Sequence, residues 1–205
     1  IATQLVSGFA IYYFSYAIGK AELFPMFALV SGLAEMMGVF FFPSLCRYLP
    51  RGVTWYIASS IAMASSLVLL IGSVMAPGSG VLVAIAGAAL KFGGGVANGL
   101  GTVMLADVVD YGHFKTGKRS ESILFSVQTM LVKFAGALSG FLIGAGLSLI
   151  GYIPNEEQSD LTVMGLRVMM IGMPACFLMI SIWVYKATFR LHGPLHKEVK
   201  AFMTR

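Results

Sequence analysis

The sequence predicts an all-α membrane protein with six transmembrane helices, and three observations carry that prediction. Hydrophobic residues make up 58% of the 205 and charged residues only 11%, against about 25% charge in a soluble domain. Apolar runs close to or above the roughly 20 residues that cross a bilayer alternate with short polar breaks. Mean hydropathy is +0.84. So few charges cannot cover a water-facing surface, which excludes a disordered chain, a nucleic-acid-binding domain and an ordinary soluble enzyme. The net charge of +5 needs no acidic ligand, because positive-inside topology makes a membrane protein basic.

The first apolar run covers 1–19 and stops at the charged break 20–22. It opens on Ile1 with no charged leader or cleavage motif, so the chain reads as a fragment of a longer one. The second run, 23–47, ends at Arg47 and Pro50, and the third, 53–76, ends at Pro77. The fourth, 81–108, precedes a polar break at 111–120, the fifth covers 121–150, and the sixth, 164–187, follows Pro154 and an acidic stretch. Residues 1–188 then form the bundle, and 189–205 form a basic tail. Arg47, Arg51, Lys115, Lys118, Arg119, Lys186, Arg190, Lys197, Lys200 and Arg205 fall on one side, against Lys20 and Arg167 on the other. The crowded side is expected to be cytoplasmic, with both ends of the chain inside. Glu156, Glu157 and Asp160 then face out.

A charge at membrane depth costs roughly 2.5–3.5 kcal/mol on insertion scales. Glu35, Lys91 and Lys133 each lie about 10–12 residues into a span, roughly 15–18 Å deep. Glu35 with Lys91 reads either as an intramembrane ion pair or as a coupling or substrate-facing charge. Gln128, Thr129, Val132 and Lys133 fall at i, i+1, i+4 and i+5, one stripe of a helix. An amide, a hydroxyl and an ammonium on one stripe suit a wet cavity that binds hydroxyl-rich ligands. The competing reading is interhelical hydrogen bonding. Asn98 is a fourth strongly polar residue inside a span.

Glycines punctuate two helices. Gly136, Gly140 and Gly144 make a double GxxxG in the fifth, and Gly93, Gly94, Gly95, Gly99 and Gly101 cluster in the fourth. Both read as sites of close helix approach. A nucleotide loop is excluded, because no Lys-Ser/Thr follows the cluster and no strand precedes it. The densest polar motif is Asp107-Val-Val-Asp110-Tyr111-Gly112-His113-Phe114-Lys115, with Lys118, Arg119 and Glu121 after it. Acids at a helix C-terminus oppose the macrodipole, so Asp107 and Asp110 are expected to pair with Arg119, Lys118 or Lys115. The cluster reads as a gate that breaks and remakes, or as a passive loop tie. Cys46 and Cys176 show no metal spacing, and His113, His192 and His196 have no nucleophile beside them.

The run from Ala106 through Arg119-Ser-Glu-Ser122 to Ser126-Val-Gln-Thr-Met-Leu-Val-Lys133 resembles the glycoside–pentoside–hexuronide:cation symporters, most of all their melibiose-carrier branch. Leu149-Ile-Gly-Tyr-Ile-Pro-Asn155 supports the same match. The resemblance implies the C-terminal half, helices seven to twelve, of a twelve-helix major-facilitator fold in a bacterial inner membrane. It implies sugar:cation symport by alternating access, with a galactoside or similar glycoside as substrate and no enzyme chemistry. Gln128, Thr129, Val132 and Lys133 match the family's sugar-side positions, and Asp107, Asp110, Arg119 and Glu121 match its cytoplasmic charge network. Asn98 stands where that branch has a tryptophan lining the sugar site, and Glu35 and Lys91 both align with asparagines. No cofactor is implied; the coupling cation, Na⁺ or H⁺, is expected to bind in the N-terminal six-helix half. The partners implied are the sugar, the cation, that other half and the lipid bilayer, with no nucleic acid. A non-transporting six-helix sensor or scaffold is the alternative.

Overall fold

The computed structural model describes residues 1–75, 79–117 and 121–188. The predicted tail, Lys118, Arg119, His192 and His196 lie outside them. Helix α1 covers Ala2–Tyr12 and runs on into a π-helical segment, Tyr13–Ala17. A 3-10 turn, Ala21–Leu23, leads into α2, Phe24–Tyr48. Then come α3, Arg51–Met75, and α4, Gly80–Thr116. Helices α5, Glu121–Leu149, and α6, Asp160–Thr188, complete the described bundle. Helices α2 to α6 are each long and apolar enough to cross a membrane. The first element is shorter: 11 α-helical and 5 π-helical residues rise about 24 Å, less than the roughly 30 Å hydrocarbon core.

The largest departure from the sequence reading is the end of α4. It does not stop near 108 but continues to Thr116. The stretch holds no proline, and an internal glycine such as Gly112 costs only about 1 kcal/mol. Gly117 ends the helix instead, in the left-handed region at φ 69°, its N–H donating to the His113 carbonyl. Asp107 therefore sits more than two turns inside the helix rather than at its end. The macrodipole fades beyond the last turn, so it does not act on Asp107 as the sequence reading assumed.

Helix α4 is clasped between α2 and α3, and glycine makes the clasp possible. A Cβ on Gly38 of α2 would overlap the Phe92 carbonyl, and one on Gly95 of α4 would overlap the Glu35 carbonyl. On the other side of α4, a Cβ on Gly93 would lie 2.6 Å from the Ala58 carbonyl oxygen of α3. Lipid tails are as apolar as leucine, so helices in a bilayer gain from such close packing rather than from burial alone. Short as it is, α1 lies at the centre. Leu5 and Phe9 of α1, and Phe14 of the π-helical segment, are fully buried with Leu90 of α4 and Leu166, Met170 and Ile171 of α6. Beyond its π-helical end the segment before α6 folds back over it. Tyr152 donates its hydroxyl to Tyr16 at 3.0 Å, and the Asn155 N–H donates to the same oxygen at 3.2 Å.

Helix α5 breaks the expectation of close approach. Among the described residues nothing lies within 4 Å of a Cβ placed on Gly140 or Gly144, and Gly136 meets only Gln4 Nε2 at 3.7 Å. Apart from that side-chain contact from α1 at Gly136, no helix among the described residues packs against the double GxxxG.

Candidate functional site

A cavity of about 490 Å³ opens among α1, α4 and α5, with Glu35 reaching it from α2 and Trp55 from α3. Its polar lining comes from Thr3, Gln4, Glu35, Asn98 and Gln128. Apolar wall is supplied by Leu105, Leu124, Leu131 and Val132, and Gly94 and Gly101 leave room on the α4 side. The volume lies within the roughly 300–1,000 Å³ of small-molecule sites. Three side-chain amides and a carboxylate give both donors and acceptors, the inventory that polyhydroxylated ligands require.

Each polar group is positioned by its helix. The Gln4 amide lies 3.3 Å from the Ser139 hydroxyl of α5, which fixes its direction between the two helices. Lys91 Nζ lies 3.0 Å from Glu35 Oε2 and donates to it, joining α4 to α2. The two side chains differ in access: Lys91 is 10% exposed and Glu35 is 32%. Trp55 stacks on Tyr185 of α6, ring centroids 5.2 Å apart at 19°, with Tyr56 edge-on to the same ring. Its indole N–H is buried and has no hydrogen-bond partner among the described residues.

The predicted stripe on α5 divides. Gln128 and Val132 line the cavity; Thr129 and Lys133 do not and are exposed. Successive helical residues turn by about 100°, so the four positions spread over an arc of about 140°. The cavity takes the edge that also carries Leu124, Leu131 and Ala135. Thr129 and Lys133 fall past its other edge. The Thr129 hydroxyl donates instead to the Phe125 carbonyl at 3.0 Å, the usual self-satisfaction of a helical threonine. Asn98 from α4 joins Gln128 and Val132 in the cavity.

The cytoplasmic cluster also rearranges. Among the described residues Asp107 forms its ion pair with Arg51 at the start of α3; Lys118 and Arg119, two of the partners expected from the sequence, lie outside them. Arg51 and Asp107 meet because α3 and α4 pack together near that end. Asp110 is half-buried one turn on, Glu121 is exposed at the start of α5, and Arg119 lies outside the described residues.

Sequence reasoning missed Thr3, Gln4 and Trp55 as cavity residues, and weighed Glu35 without a cavity to place it in. An amide inside the otherwise apolar run at Gln4 is the signal that was available, since it carries the same desolvation cost used to single out Asn98. Trp55 gave no pattern to follow.

The family model described as MFS/sugar transport protein matches residues 1–191. The chain belongs to that family of major-facilitator transport proteins. It is 27% identical over 198 residues to an uncharacterized symporter of Bacillus subtilis (strain 168), covering 97% of this chain and 42% of the relative. It is 31% identical over 171 residues to a putative sulfoquinovose importer of Salmonella typhimurium, covering 83% and 35%. To the raffinose carrier protein of Pediococcus pentosaceus it is 26% identical over 213 residues, covering 100% and 32%. The chain thus spans 32–42% of the length of these relatives. With five spanning helices among its described residues, it is a multi-pass membrane protein.

Proposed function

We propose that the chain is the C-terminal half, helices seven to twelve, of a sugar:cation symporter in a bacterial inner membrane, with its C-terminus cytoplasmic. The supporting observation is the cavity itself, in which Asn98, Gln128, Gln4 and Glu35 gather at the depth of spanning helices. Amides there have no use for lipid, and they match the alternating donors and acceptors of sugar hydroxyls. Relatives named raffinose carrier protein and lactose permease favour a galactoside or similar glycoside as substrate.

In this reading the sugar lies between two six-helix halves, and the carrier rocks between inward- and outward-facing states. Asn98 and Gln128 exchange hydrogen bonds with sugar hydroxyls in place of water, and Val132 packs against a ring face. Thr129 and Lys133, exposed on the neighbouring face of α5, meet groups of the other half, which also binds the coupling Na⁺ or H⁺. The Arg51–Asp107 pair, with Asp110, Arg119 and Glu121, closes the cytoplasmic side and opens during inward release. A cation moving down its gradient favours the loaded states and so drives uptake.

The test is uptake of radiolabelled galactoside into vesicles containing the full-length carrier, with and without an imposed Na⁺ or H⁺ gradient. Accumulation that collapses with the gradient is the expected result and names the ion. Folded protein that takes up no glycoside would overturn the transport reading in favour of a sensor.

A further inference from the structure

Glu35 and Lys91 are joined as an ion pair, but they do not share one environment. Lys91 is 10% exposed and stands behind, among the packed surfaces of α4, while Glu35 is 32% exposed and lines the cavity. Among the described residues Lys91 holds Oε2 and no other hydrogen-bond partner of the carboxylate is found. The Glu35 backbone is fixed as well, since its carbonyl rests where Gly95 has no Cβ. The result is a carboxylate braced from behind on α4, with acceptor capacity left on the cavity side.

A burial-neutralising pair would need neither half to reach the cavity. We propose that Glu35 is a hydroxyl acceptor for the substrate, anchored by Lys91, and that it selects uncharged glycosides over sugar carboxylates. This rests on the transport reading above and deepens it. Two adjacent sugar hydroxyls donate to a carboxylate in good geometry, and a hydrogen bond to a charged acceptor is stronger than one to an amide. Asn98, Gln128 and Gln4 are uncharged, so Glu35 is the one charged side chain among the described residues lining this cavity. An anionic substrate would meet like charge there, and like-charge juxtaposition is how sites reject wrong ligands. A bound metal cation is disfavoured at the same carboxylate, because the Lys91 ammonium already lies 3.0 Å from Oε2. A hydroxyl donor carries no net charge and tolerates that neighbour.

The experiment is transport by the full-length carrier in proteoliposomes, comparing wild type with the double variant Glu35→Gln/Lys91→Met. The double change leaves no unpaired buried charge, so folding is preserved. Radiolabelled methyl-galactoside is the probe, with unlabelled galacturonate and methyl-galactoside as competitors. The expected result is a KM raised about ten- to a hundredfold, the range for a hydrogen bond to a charged group, with little change in maximal rate. Wild type should prefer methyl-galactoside to galacturonate by a similar factor, and the double variant should lose most of that preference. Glu35→Asp with Lys91 retained should keep the preference. An unchanged KM and preference in the double variant would show a purely structural pair and overturn the inference while transport stands. Equal competition by galacturonate in wild type would overturn the selectivity. Wild-type carrier that transports neither sugar would remove the transport reading, and the inference with it.

Discussion

Helices α4 and α5 carry the same kind of glycine signal and put it to opposite ends. On α4, Gly93 and Gly95 are taken up by carbonyls of α3 and α2, so close that a methyl group has no room. On α5, Gly140 and Gly144 face nothing of the described chain within 4 Å. The glycine spacing alone does not tell these cases apart. A small-residue stripe permits approach; whether a helix comes is decided by topology. The comparison separates glycines of α4 that are consumed by packing against α2 and α3 from a glycine face of α5 left for a partner, in our reading the other half of the carrier.

The largest effect should come from filling the closed face. Gly95→Leu should leave no folded carrier in detergent, because the added side chain meets backbone rather than a flexible neighbour. Gly140→Leu should still give a monodisperse, folded protein by size-exclusion chromatography, with transport lost if that face meets the other half. Equal behaviour of the two variants would break the comparison. Next in size is the charge that ties α4 to α3. Asp107→Arg should destabilise by about 3 kcal/mol, the cost of breaking a largely buried pair, seen as a lower melting temperature and poor uptake. Adding Arg51→Asp should restore part of both; no rescue would argue against direct pairing during transport.

Two smaller effects sharpen the division of the α5 face itself. Gln128→Ala should raise the KM for galactoside about fivefold, near the ~1 kcal/mol of one neutral hydrogen bond, with expression unchanged. Thr129→Val should change galactoside KM by less than about twofold if its hydroxyl serves only the Phe125 carbonyl, as the 3.0 Å contact indicates. A Thr129→Val effect larger than that of Gln128→Ala would reverse the assignment of the two edges.

The helices were legible because apolar length and polar breaks are local properties. The reading of 23–47 became Phe24–Tyr48, and 121–150 became Glu121–Leu149. The end of α4 differs from the expectation because polarity alone suggests a loop, whereas Asp, Tyr and His within 107–115 are all compatible with helix. The cavity was partly legible: Asn98, Gln128 and Val132 line it, and they were singled out by the cost of polar groups in lipid or by their place on the stripe. Thr129 and Lys133 share the stripe with Gln128 but not the cavity, because an arc of about 140° is wider than one contact face.

What the sequence determined by itself is therefore the solvent of the protein and the set of residues that cannot rest against lipid. Hydropathy, charge asymmetry and the motif around Asp107 depend on neighbours a few residues away, and they can be read without a fold. The tertiary structure alone decided the pairings: Arg51 with Asp107, Lys91 behind Glu35, Trp55 on Tyr185, and Gly93 and Gly95 filled on α4 against Gly140 and Gly144 open on α5. Each joins residues on different helices. Their meeting depends on which helix faces pack and at what height, and no local periodicity encodes that.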